Sequence, residues 1–202
     1  MTMIDRFYPV VGDIRWLSRL VPLNVKTIQL RIKTGTVAEI RHQIKVARDL
    51  CRRYGTQLVV NDYWQLAIEE QCDFVHLGQT DLDTADLLAI RRAGIRLGLS
   101  THDHAELERA RSNSPDYIAL GPIYPTLLKA MPWPPQGLNR VREWKQRIDT
   151  VPLVAIGGLT VERAPGIFAA GADSAAVVTD VLTSTDPEAR TRQWLDAVRA
   201  PA

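Results

Sequence analysis

With 202 residues, 46% of them hydrophobic, the chain has apolar content for one substantial core and no length for a second domain of ordinary size, so residues 1–202 are expected to form a single domain. Its 25 Lys and Arg against 23 Asp and Glu leave a formal charge of +2, which argues against a nucleic-acid footprint and confines any anion site to a local cluster of cations. No apolar run approaches the roughly 20 residues that span a bilayer, and the opening MTMIDRFYPV sets Asp5 and Arg6 where a secretory leader would be apolar; the expectation is a cytoplasmic protein with no membrane partner.

Eight apolar runs of strand length follow one another. The first, FYPVV at 7–11, leads into a connection read as short. The second, TIQLRI at 27–32, lies within the alternation IQLRIK, where Ile28, Leu30 and Ile32 share one face and Gln29, Arg31 and Lys33 the other. That polar face suits either open solvent or an anionic ligand. After helical spacing at 37–54 comes QLVVND at 57–62, ending in Asn61 and Asp62; after 63–70 comes FVHLGQ at 74–79, running into Gln79, Thr80 and Asp81. Helical spacing at 85–93 precedes RLGLST at 96–101, whose end carries Ser100 and Thr101 and runs into His102, and 104–111 is helical again.

The sixth run, YIALGP at 117–122, continues as GPIYPTLLK to Lys129. Pro132, Pro134 and Pro135 in AMPWPPQG forbid a helix there, so 126–137 reads as a loop, with Trp133 placed to dock. Beyond the helical stretch 138–148, PLVAIGG at 152–158 closes on Gly157 and Gly158. A helix over 161–170 is followed by Gly171, where a left-handed cap would want it. SAAVVTD at 174–180 and a last helix over 187–199 complete the chain.

Strand then helix, eight times over, predicts a parallel sheet closed as a (β/α)8 TIM barrel, smaller than the usual size of about 250 residues. The open doubly wound sheet is the competing architecture, and no GxGxxG follows the first strand to support it. Cys51 and Cys72 lack metal-ligand or CxxC spacing and read as reduced packing residues. In a barrel, chemistry sits at the carboxyl ends of the strands, where this sequence concentrates its polar groups. Two cations facing the mouth would be costly without an anion. Asp62 and Asp81, from neighbouring strand ends and near those cations, suit Mg²⁺ held with a phosphate group; the plainer alternatives are a helix N-cap for Asp62, a turn for Asp81, or an ion network with Arg31 and Lys33. Gly157 and Gly158 with Val178 and Thr179 have the pattern of a barrel phosphate site built after strands seven and eight. His102 is either an acid–base group or an orienter of its loop.

In order, QLRIK, ND, GQTD, GLSTH, GPIYPTLLK, PPQG, AIGG and AVVT resemble the thiamine-phosphate synthase family over nearly the whole chain. The resemblance implies a barrel enzyme that joins 4-amino-2-methyl-5-hydroxymethylpyrimidine diphosphate to a thiazole phosphate, with Mg²⁺ as cofactor, small molecules as its partners, and a homo-oligomer as a possible assembly. It assigns Gln29, Arg31, Lys33, Asn61, Ser100 and Lys129 to the pyrimidine diphosphate. Among these, Arg31, Lys33, Ser100 and Lys129 are the expected catalytic contacts. Asp62 and Asp81 are assigned to the metal, and Thr126, Leu127, Leu128, Gly158, Val178 and Thr179 to the thiazole phosphate. Three positions depart from the family pattern: Leu128 stands for a Thr, Thr80 for a Glu and Thr179 for a Ser. The competing functions are a thiazole tautomerase-like enzyme, which has no use for paired metal carboxylates, and a noncatalytic binding protein for thiamine intermediates.

Overall fold

Two sets of apolar residues alternate along each strand, and the two faces are both buried, as a parallel sheet covered by helices requires. In the computed structural model, which describes residues 4–126 and 133–199, the strands are β1 (Phe7–Val11), β2 (Thr27–Leu30), β3 (Gln57–Asn61), β4 (Phe74–Leu77), β5 (Arg96–Thr101), β6 (Tyr117–Leu120), β7 (Leu153–Ile156) and β8 (Ser174–Val177). They pair in parallel in chain order, and β8 closes on β1 through Phe7 beside Ala175 and Tyr8 beside Ala176. The expected (β/α)8 barrel is the observed one.

The helices are α1 (Ile14–Leu20), α2 (Val37–Tyr54), α3 (Trp64–Glu69), α4 (Leu87–Arg92), α5 (His104–Ser112), α6 (Gly137–Ile148), α7 (Ala164–Ala169), α8 (Thr179–Leu182) and α9 (Pro187–Arg199). Each contributes at least one buried apolar residue to the outer core, from a single one in α4 (Ile90) and α8 (Val181) to a full stripe in α2. In α2 that stripe is Ile40, Ile44, Ala47 and Cys51, spaced by three or four residues, behind a reciprocal Thr36–Glu39 cap and ahead of Gly55 at φ 63°. In α9, Trp194 stacks on Phe7 with ring centroids 5.5 Å apart. Cys51 and Cys72 are buried thiols with pKa values pushed up to about 12 by that burial, in keeping with packing roles.

The inner face is a second cluster made of Ile4, Tyr8, Val10, Val59, Phe74, Tyr117, Ala119, Val154 and Ala176. Gly98, the register neighbour of Tyr117, shows how tightly it fills: a Cβ there would lie 2.1 Å from the Tyr117 ring. The absent side chain is the slot that the tyrosine occupies.

Three expectations change. The first connection is not short: Asp13, accepting from the N–H groups of Arg15 and Trp16, caps α1, which buries Leu17 and Leu20 and runs into a 3-10 turn over Val21–Leu23. Most of the polar tail residues lie beyond the ladder: β2 keeps Gln29 but stops at Leu30, before Arg31 and Lys33, and β3 keeps Asn61 but stops before Asp62. The run at 174–180 splits, with β8 ending at Val177 and α8 starting at Thr179.

Candidate active site at the barrel mouth

The chain leaves β3 through Asp62, which takes a left-handed φ of 66° and donates its backbone N–H to the His76 carbonyl of β4 at 2.9 Å. Its carboxylate does not cap α3, whose N-cap, Tyr63, makes no side-chain capping bond. Instead Oδ2 accepts from Lys33 Nζ at 2.7 Å. Asp81 lies in the 3-10 turn after β4, with Oδ2 accepting from the Gly78 N–H at 2.9 Å. Its pKa is raised, first by burial and then by the negative charge of Asp62, whose side chain it touches. Two carboxylates in contact favour a shared proton or a bound cation, and an all-oxygen pair suits a hard divalent ion. Among the described residues no third His, Cys, Asp or Glu completes a protein cage around them, so any further ligands would come from water or substrate oxygens.

Neighbouring groups are also polar and incompletely satisfied. Asn61 is 4% exposed and its Nδ2 has no partner among the described residues. Gln79 Nε2 donates to the Ser100 carbonyl at 2.7 Å, while its buried Oε1 is likewise unpartnered there. Such atoms are rare in folded proteins, and a ligand satisfies them as well as water does. Arg31 is exposed at the rim with its N–H on the Val11 carbonyl at 2.8 Å. The plain ion-network reading therefore holds for Lys33 with Asp62.

Gln29 behaves differently from Arg31 and Lys33. It is buried inside the barrel, where its Nε2 donates to Tyr8 Oη at 2.8 Å. His76, reached through Tyr117, meets Ser100 Oγ with its Nε2 at 2.8 Å. Burial lowers the His76 pKa to about 4 and raises those of both tyrosines, so all three are neutral at pH 7. Tyr8, His76 and Tyr117 were not among the candidates from sequence. The signal available was a histidine two residues after Phe74 on the same strand face, in a position that an apolar residue would ordinarily fill.

On the opposite side, β7 delivers Gly157 and Gly158 at φ 99° and 64°. A Cβ on Gly158 would come within 2.5 Å of the Pro125 carbonyl, so this turn presses against the loop after β6, next to Thr126. Val178 precedes α8 and Thr179 is its first residue. Arg190 anchors this corner by donating to both Asp180 oxygens at 2.8 and 2.9 Å. His102 is tied to its own loop: its Nδ1 and its backbone N–H both meet Glu106 Oε2 at 2.7 Å, and the ring stacks on Trp133 at 5.7 Å, the docking expected of that tryptophan. Leu127, Leu128 and Lys129 lie outside the described residues.

Comparison with known proteins gives this mouth a context. A family profile described as thiamine monophosphate synthase matches residues 8–181. A thiamine-phosphate synthase of Rhizobium etli is 58% identical over 194 residues, covering 96% of this chain and 95% of its own. One from Klebsiella pneumoniae is 49% identical, over 93% and 89%. Among solved structures, a thiamine phosphate pyrophosphorylase from Pyrococcus furiosus superimposes with a TM-score of 0.83 at 26% identity, over 96% and 95% of the two chains. A match that spans every strand from β1 to β8, with relatives of this identity over nearly their full length, leads to one conclusion: the chain belongs to the thiamine monophosphate synthase family.

Proposed function

We propose that the protein is a thiamine-phosphate synthase, a transferase that couples 4-amino-2-methyl-5-hydroxymethylpyrimidine diphosphate with a thiazole phosphate and releases diphosphate. Membership of the family supports the reaction class. The observation that carries the substrate reading is the contact between Asp62 and Asp81 at neighbouring strand ends, beside Lys33 and the unpartnered Asn61 amide. A tautomerase-like enzyme would have no use for that pair.

In this reading Asp62 and Asp81 hold Mg²⁺, which when bound supplies positive charge to the diphosphate. Lys33 exchanges its present partner for phosphate oxygens. Arg31 adds charge from the rim and Lys129 adds a second cation, Asn61 donates its spare N–H, and Ser100 with Gln29 orients the pyrimidine. The carbon–oxygen bond to the diphosphate breaks with its electron pair leaving on oxygen, and the thiazole nitrogen supplies its lone pair to the resulting pyrimidine-methyl cation. No strong base is needed. The residues contribute charge complementary to the departing group, and they hold the nitrogen in reach of the carbon. Thr126, Leu127, Leu128, Gly158, Val178 and Thr179 would seat the thiazole phosphate, largely through backbone N–H groups. A cytoplasmic location belongs to the same reading, because both substrates are multiply charged and do not cross a bilayer unaided.

Formation of thiamine phosphate from the two purified substrates, with and without Mg²⁺, tests it. Product that appears only with both substrates and the metal is the expected result. Binding of both substrates without product would identify a noncatalytic binding protein instead.

A further inference from the structure

A file of hydrogen bonds crosses the barrel interior, with Gln29 reaching Tyr117 as well as Tyr8 at its start. Gln29 Nε2 meets Tyr8 Oη at 2.8 Å, Tyr8 Oη meets Tyr117 Oη at 3.1 Å, Tyr117 Oη meets His76 Nδ1 at 2.7 Å, and His76 Nε2 meets Ser100 Oγ at 2.8 Å. The file joins strands β2, β1, β6, β4 and β5, and its three central members are at most 8% exposed. Gly98 exists as a gap for the Tyr117 ring, so the placement of that hydroxyl is built into the packing.

Proton counting gives the file a direction. An amide nitrogen only donates, and a phenol has one proton. Tyr8 accepts from Gln29, and because Tyr117 is the other partner of its hydroxyl among the described residues, its own proton goes to Tyr117. Tyr117, having accepted, donates to His76 Nδ1. A neutral imidazole that accepts at Nδ1 carries its hydrogen on Nε2, and that hydrogen goes to the Ser100 oxygen. The Ser100 proton is then left over, on a half-buried residue at the mouth end of β5.

We propose that Tyr8, Tyr117 and His76 are positioning residues that fix His76 as its Nε2–H tautomer and so present the Ser100 hydroxyl as a hydrogen-bond donor to an acceptor atom of the pyrimidine-bearing substrate. This deepens the proposed function and rests on it for the identity of the substrate. The direction also makes a selective demand: the group that meets Ser100 has to accept, so an analogue offering an N–H at that atom would be rejected. Tyr117 matters most, because it alone hands a proton to the ring. Tyr8 sets the orientation of Tyr117 but is one step removed.

The ring nitrogens of His76, read by ¹⁵N NMR of the labelled full-length chain at pH 7, report the tautomer without any substrate. The expected wild-type spectrum has the proton on Nε2, retained in Tyr8→Phe and lost to a tautomer mixture in Tyr117→Phe. A wild-type proton on Nδ1 reverses the file and overturns the proposal. Kinetics then test the route to substrate: Tyr117→Phe should reduce kcat/KM for the pyrimidine diphosphate about tenfold, as expected for a lost hydrogen bond, with the KM for thiazole phosphate within about twofold of wild type. In a Ser100→Ala background the same change should add no further loss. A further tenfold fall there would show that Tyr117 acts through the fold and not through Ser100, and would overturn the positioning role. Absence of any coupling by the wild-type enzyme would overturn the proposed function alone, since the tautomer measurement stands apart from it.

Discussion

Asp62 follows a strand in a left-handed conformation, which most residues avoid and aspartate tolerates better than most. That turn sets its carboxylate against Asp81 instead of on the next helix, and the mutual repulsion is the reason a cation would be welcome. Mg²⁺ at ten times its dissociation constant should therefore stabilise the protein by about 1.4 kcal/mol, a rise in Tm of about 3–5 °C for a chain of this size. Asp62→Asn and Asp81→Asn should each lose most of that rise in thermal melts; an equal rise in all three proteins would assign the metal elsewhere. Arg31 carries a different kind of demand. If it meets phosphate oxygens, the planar fork matters as well as the charge, so Arg31→Ala should lower kcat/KM for the pyrimidine diphosphate at least about tenfold and Arg31→Lys should recover only part of it. Full recovery in steady-state kinetics would reduce the residue to a point charge.

Strands and helices place these residues, and one contact between strands is unusually sensitive. Gly98→Ala would drive a methyl into the Tyr117 ring, and overpacking of that kind costs about 1–3 kcal/mol. The expected result is a lower denaturation midpoint with an unchanged m-value, and with it a loss of kcat/KM as large as that of Tyr117→Phe; a variant with wild-type stability and kinetics would mean the interior has slack. Elements of this size were legible from sequence wherever period and punctuation agreed. The eight strands were found because each is a short apolar run bounded by turns, and α2 because its stripe, cap and terminal glycine concur. The strand tails were overextended because residues such as Arg31 and Ile32 continue the alternation after the ladder has ended. Helix α1 was missed although Asp13, Leu17 and Leu20 carry its cap and spacing, since a connection of that length also suits an ordinary loop. Residues at strand ends were readable as a constellation. Tyr8, His76 and Tyr117 were not, because a hydrogen bond spanning 109 positions leaves no local pattern.

At the scale of the whole molecule, the acid sensitivity of the fold has an identifiable contributor. His76 is buried neutral with its pKa lowered to about 4, so the unfolded chain binds a proton there that the folded one refuses. The stability this group allows is present above about pH 6.5 and is lost as pH falls toward 4. Between pH 7 and 4.5 the loss should amount to about 2–3 kcal/mol, and it should be missing from His76→Gln in denaturant titrations. Asp81, whose pKa moves upward, works in the opposite sense and cancels in the comparison. Parallel curves for the two proteins would remove His76 as the cause. The same interior has a consequence for traffic. Ile4, Phe74 and the two tyrosines fill the barrel interior on the side where the strands begin, so among the described residues the mouth rests on a closed floor. A molecule seated on that floor and then covered by a second should depart after it, so release is expected to run in the reverse order of entry.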